Sequence, residues 1–340
     1  MRELETRRQR NKRRKRRNRR IFTFVFIVMV SFIVIIGVKN KDSILNIKNN
    51  FFKKEESESK SDKKEQSIIN YDDAAVQEAD DNFDYVGTTT KDEFGNNIYS
   101  YGRYKIKESN GEADSIKFWF NRNNDFNIPE SPLLDKQMED YDVRYVGKND
   151  KVIYLTFNET EEKSQTSRIL DILRDNNIKA SFFMTNKFME ANKEIVKRIV
   201  NEGHICGNLT YDYVNMSKLA ANNPIEFIKE IVDNEESFKK ITNKDMSKYI
   251  RLPDGIYSDR TFEYMHQIGY KTVFWSFAYK DWNANWNTRD EALDWMNKYY
   301  HNGAIYLLHG ENIANADALD EFIKTMQEKG YTFETIDNFK

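Results

Sequence analysis

Five short clusters hold the residue types from which a reaction site is built: Asn158-Glu159, Asn208–Tyr213 (NLTYDY), Arg251–Gly255 (RLPDG), Trp275–Trp282 (WSFAYKDW) and His309-Gly310. Each stands at the polar end of an apolar run. The first follows KVIYLTF, in which Val152 to Leu155 and Phe157 are apolar or aromatic and only Thr156 interrupts. A short apolar run ending in a polar cluster reads as a buried strand that delivers side chains at its C-terminal end. In a parallel α/β layout, chemistry is assembled at those ends. The identity of Asn158 and Glu159 therefore carries the most weight.

The segments between the clusters alternate as such a layout requires. After Val152–Phe157 the periodicity predicts a helix over Ser167–Asn176, with Ile169, Leu170, Ile172 and Leu173 on one side. A strand at Ala180–Met184 and a helix at Lys193–Asn201, stopped by Gly203, come next. Further strands are expected at His204–Asn208, Tyr249–Leu252, Thr272–Phe277, Ala304–Leu308 and Tyr331–Thr335. Helices are expected at Pro224–Lys240, Asp259–Ile268, Arg289–Tyr300 and Ala316–Lys329. Seven strands alternating with six helices predict a distorted (β/α) barrel.

Several fragments, in order, resemble the polysaccharide deacetylase (NodB-homology) family: KVIYLTF, ILDIL with IKASFFMT, VKRIVNEGH, IRLPDGIYSDRT, GYKTVFWSFAYKDW, GAIYLLH and NADALDEFIK. The match is closest to the branch of muramic δ-lactam-forming peptidoglycan de-N-acetylases, and it runs from about Ile116 to the C-terminus. The resemblance implies a metal-assisted amide hydrolase. Two histidines four residues apart and an acid would hold a divalent metal, an Asp would serve as general base, and a later His as general acid.

Carried over position by position, that pattern is broken. The base falls at Asn158, and an amide has no titrating group to accept water's proton. Glu159, one residue on, is the possible substitute. The metal histidines fall at Leu209, which has no donor atom, and Tyr213, whose phenol is a poor zinc ligand near neutral pH. Arg251, Asp281 and His309 match the tuning Arg, the second Asp and the general acid. Arg251 and Asp281 are also readable as a partly buried ion pair holding strand ends together, and His309 as a hydrogen-bonded rim residue. Tyr213, Pro253 and Trp282 are expected to line a substrate groove. No metal or other cofactor is expected unless a rearranged site survives, in which case zinc or another divalent ion is required.

The net charge of −2 conceals an asymmetry, because residues 1–20 hold twelve Lys/Arg against Glu3 and Glu5. The uncharged run Ile21–Val38 follows, and eighteen residues span about 27 Å as a helix, enough for a hydrocarbon core. The basic arm thus reads as a topology signal and not as a nucleic-acid contact, with residues 1–20 cytoplasmic and residue 39 onward outside the cell membrane. Residues 21–38 form the expected single-pass signal anchor, 39–68 a disordered stalk, 69–115 a small appendage, and 116–340 the deacetylase-like domain. The single cysteine, Cys206, excludes an intramolecular disulfide and is expected as a buried small hydrophobe. His204 is expected to be structural, and His266 and His301 to be exposed on helices.

Three functions remain open on these residues. The first is a catalytically inactive, membrane-anchored member that binds peptidoglycan glycan strands or a cell-wall enzyme, with a sporulation setting implied by the branch. The second is an active peptidoglycan N-deacetylase with Glu159 as base and His309 as acid. The third makes the barrel a passive scaffold for the basic arm and stalk.

Overall fold

A computed structural model describes residues 85–122, 125–161, 164–283 and 285–338. The basic arm, anchor and stalk expected over residues 1–68 lie outside the described residues. Among those described, no helix is long and apolar enough to cross a membrane.

Strands β1 (Thr88–Lys91), β2 (Asn97–Tyr101) and β3 (Tyr104–Lys107) form an antiparallel meander with β2 in the centre. Next come β4 (Ile116–Lys117), α1 (Asp135–Asp140), β5 (Val143–Arg144), β6 (Val152–Glu159), α2 (Thr166–Asp175) and β7 (Ser181–Met184). They are followed by α3 (Asn186–Ala191), α4 (Lys193–Asn201), β8 (Ile205–Asn208), α5 (Met216–Asn222), α6 (Pro224–Thr242) and β9 (Tyr249–Ile250). The chain ends with β10 (Ile256–Tyr257), α7 (Asp259–Gln267), β11 (Lys271–Val273), α8 (Arg289–Lys298), β12 (Ala304–His309), α9 (Ile313–Glu328) and β13 (Thr332–Phe333).

The main sheet runs β12-β6-β7-β8-β9-β11-β5, with β13 also on β6, and its ladders are parallel throughout. It curls into a half-barrel with the helices outside. The remaining gap is crossed by isolated bridges, Phe277 to Tyr306 and Val146 to Ala304. This explains why the fifth expected strand, Thr272–Phe277, stays regular only over Lys271–Val273. Beyond Val273 the chain changes neighbours: the Phe274 N–H donates to Arg144 O, whereas the Phe277 N–H donates to Ile305 O on β12.

Alternation along the strands sorts side chains onto two faces. Leu155, Phe157, Phe182, Cys206, Tyr306 and Leu308 face outward and pack with helix residues such as Ile169, Leu170 and Phe322. Tyr154, Phe183, Leu209, Val273 and Ile305 face inward and fill the barrel. Cys206 is buried as expected.

Helices α1, α3 and α5 and the two-residue strands β4, β5 and β10 escape the sequence reading. Helix α3 starts where the Thr185 side chain accepts from Phe188 N, and α5 where Asn215 accepts from Lys218 N. Both are single capped segments too short for a periodic signal. Strand β5 has two residues, and only its ladder with β11 identifies it.

The meander docks on α6 and shares its core. Tyr101 and Ile106 are buried together with Phe227, Ile228 and Val232. The Tyr101 hydroxyl donates to Asp233 Oδ1 at 3.0 Å. Buried Glu235 takes Arg103 at 2.5 Å, the Tyr104 and Tyr270 hydroxyls at 2.8 and 2.7 Å, and Lys248. A buried carboxylate that is paired and hydrogen-bonded on this scale is held without an orphan charge.

His204 is buried, and its Nδ1 accepts the Ala180 N–H at 3.1 Å, which requires a neutral ring. Burial lowers its pKa from 6.5 to about 4. The folded ring thus resists a proton that the unfolded ring accepts near 6.5. Its contribution to stability is whole above that pH and is lost as pH falls toward 4. Between pH 7 and 5 the loss is expected to reach roughly 2 kcal/mol, read from urea midpoints, with a flatter slope in His204→Asn. His301 corrects an expectation: α8 ends at Lys298, and His301 is 2% exposed, with its Nδ1 2.9 Å from Asn302 O.

Candidate functional site

A cleft of about 620 Å³ opens at the C-terminal ends of the barrel strands. Asn158, Tyr213, Trp282 and His309 line it, together with Leu252, Asp254 and Glu311. Pro253 does not line it. That residue is buried at the start of a turn, and its neighbours Leu252 and Asp254 form the wall.

The alternation of β6 decides what its end can do. Thr156 and Asn158 both accept from Arg251, the hydroxyl from Nη2 at 2.8 Å and the amide Oδ1 from Nη1 at 3.1 Å. They share the inner face. Glu159 belongs to the outer face with Phe157, where its Oε1 accepts from the Thr166 hydroxyl at 2.7 Å. It is fully buried, does not line the cleft, and fills the space that a Cβ on Gly310 would need. Burial raises the Glu159 carboxyl well above its ordinary range. In this geometry Glu159 does not reach a water in the cleft, so it does not substitute for a base at Asn158.

Arg251 is wholly buried inside the barrel, its guanidinium 4.2 Å from the centre of the Phe183 ring. It donates to Val273 O at 3.1 Å and Phe274 O at 3.3 Å as well as to the two β6 side chains. All of these acceptors are neutral, and burial brings its pKa down to about 9. The expected Arg251–Asp281 ion pair is not formed, because Asp281 is engaged elsewhere. Its Oδ1 lies 2.8 Å from His309 Nδ1, and its Oδ2 accepts the His309 N–H at 3.0 Å and Asn315 Nδ2 at 2.8 Å.

This Asp281–His309 pair governs the imidazole. Burial pushes His309 down, but the charge and hydrogen bond of Asp281 outweigh it and hold the pKa above 6.5. Asp281→Asn removes the main charge that opposes burial and leaves only the weaker pull of Glu311 against it. The His309 titration, followed by NMR, is expected to move from above 6.5 to below it.

The implied metal meets no matching donors. Leu209 is fully buried in the inner cluster with Tyr154, Phe183, Val273 and Ile305. Tyr213 reaches the cleft, but burial raises its phenol pKa, and its oxygen accepts the Asp254 N–H at 3.3 Å. Asp212 lines the cleft and is exposed. Among the described residues no three His, Cys, Asp or Glu side chains stand where they share an ion. The residues present do not fit a divalent metal.

Trp282 stands 52% exposed at the rim, its ring centre 5.4 Å from that of Trp286. Glu311 was missed from sequence. The available signal was a polar residue two positions beyond His309, in the loop between a strand and a helix.

The family model for polysaccharide deacetylases matches residues 145–273. The peptidoglycan-N-acetylmuramic acid deacetylase PdaA of Bacillus subtilis is 36% identical over 229 residues, which cover 66% of this chain and 86% of that protein. A peptidoglycan-N-acetylglucosamine deacetylase of Bacillus cereus is 30% identical over 58% of this chain and 72% of that one. The solved structure of Bacillus subtilis PdaA, a family 4 carbohydrate esterase, aligns with a TM-score of 0.64 at 34% identity, over 67% of this chain and 97% of that one. With the shared half-barrel and the ordered motifs on it, the chain belongs to the polysaccharide deacetylase family.

Proposed function

We propose that this chain is a catalytically silent polysaccharide deacetylase that binds peptidoglycan glycan strands in its cleft. In this reading residues 21–38 hold it at the outer face of the cell membrane, and its setting is sporulation. A wall enzyme acting on the same strands would be its natural neighbour.

The observation that carries the proposal is the split across β6. Amide hydrolysis needs a group that takes water's proton, within hydrogen-bond reach of that water. Asn158 faces the cleft, yet it has no titrating group and its carbonyl oxygen is held by Arg251. Glu159 titrates, yet it faces the opposite side of the strand. Leu209 and Tyr213 supply no second route to an activated water. What persists is a concave, aromatic-edged cleft, and such surfaces bind sugar rings through stacking and a few placed polar groups. The likeness to deacetylases of peptidoglycan supports the choice of glycan.

Co-sedimentation of the full chain with purified peptidoglycan tests the binding half of this reading. Retention in the pellet that is lost on Trp282→Ala is the expected result. A chain that stays in the supernatant at every protein concentration contradicts it.

A further inference from the structure

Glu311 sits between β12 and α9, lines the cleft, and is 5% exposed. Among the described residues its Oε2 has no hydrogen-bond partner. Burial raises its pKa, and His309 is near enough to oppose that rise. A buried carboxylate oxygen without a donor is expensive to maintain, so this one calls for a donor from outside the chain.

The rest of the cleft narrows what that donor is. Glu161, Asp212 and Asp254 also line it and are exposed, so acids come from four positions. Lys117, Lys187 and His309 are the basic residues of the lining, and Lys187 pairs with Glu161 at 2.9 Å. His309 in turn pairs with buried Asp281. Carboxylates therefore outnumber the cations left to answer them, which disfavours an anionic sugar. Tyr211 and Trp282 on the lining supply ring faces for a pyranose.

We infer that the cleft selects a glycan carrying a free amine, a glucosamine-type residue left after another enzyme has removed the acetyl group, with its ammonium donating to Glu311. This rests on the glycan-binding reading above and names the class of glycan within it. A charge-assisted hydrogen bond is roughly twice as strong as a neutral one, so the ammonium outcompetes an acetamide N–H at the same place. The chain would thus read the product of the family's reaction instead of its substrate.

Calorimetric titration of the full chain with a β-1,4-linked glucosamine tetramer and with its N-acetylated counterpart tests this. The free-amine tetramer is expected to bind about tenfold more tightly, and Glu311→Gln, which keeps the side-chain shape, is expected to remove most of that preference. The comparison of the two ligands on the unaltered chain does not depend on the variant folding, and thermal melting checks the variant itself. Equal or tighter binding of the N-acetylated tetramer overturns the inference and leaves the glycan-binding reading standing. Binding of neither tetramer overturns both. A preference that persists in folded Glu311→Gln removes Glu311 as its source and overturns the assignment.

Discussion

Arg251→Ala is expected to destabilise the folded chain by about 3 kcal/mol, read as a lower urea midpoint with an unchanged slope. Two effects oppose each other. Removing the side chain relieves a buried cation that has only neutral acceptors around it. It also orphans those acceptors inside the barrel and opens a cavity beneath Phe183 and Trp275, whose ring centres lie 4.2 and 5.7 Å from the guanidinium. Each buried acceptor left unpaired costs about 1–3 kcal/mol, and the cavity adds to this. The losses are the larger side, because four buried acceptors lose their donor while a single cation is relieved. An unfolding midpoint that does not move would mean Arg251 is not part of the barrel's support.

The combined variant Asn158→Asp, Leu209→His and Tyr213→His is expected to bind one divalent ion per chain and to melt in a zinc-dependent way. Without metal it should be less stable than the parent. Leu209 is buried among Tyr154, Phe183, Val273 and Ile305, and an imidazole there exchanges apolar packing for an unsatisfied polar ring. With zinc at about a thousandfold excess over its dissociation constant, the native state gains about 4 kcal/mol. The melting midpoint should therefore fall on substitution and recover on adding zinc. A variant that melts identically with and without zinc would show that positions 158, 209 and 213 do not converge on one point.

The frame of the fold was legible in the sequence because each long element carries its own period. Val152–Phe157 and Ala304–Leu308 read as buried strands, and both are, extended to Glu159 and His309 in the structure. Lys193–Asn201 was bounded correctly by Gly203. The two-residue strand β5 left no trace, since only its pairing with β11 defines it. The site was half legible. The residue types at 158, 209 and 213 could be read directly, but the facing of Glu159 could not. A strand's period of two says that neighbours point apart, yet which of the two points inward depends on the whole barrel. The partner of Asp281 was misread for a related reason. Arg251 and Asp281 have opposite charges and stand on neighbouring strand ends, and nothing local shows that His309 claims the carboxylate first. Glu311 stayed hidden because a loop glutamate is ordinarily a solvated one.

The most direct test of the central claim is acetate release from N-acetylated peptidoglycan strands by the full chain with zinc in excess, measured beside the combined variant. A cleft whose only inward group at the base position is Asn158 should give no release above the enzyme-free control. Steady acetate release by the unaltered chain, abolished by Glu159→Gln, would contradict the account and restore the carboxylate of Glu159 as a working base.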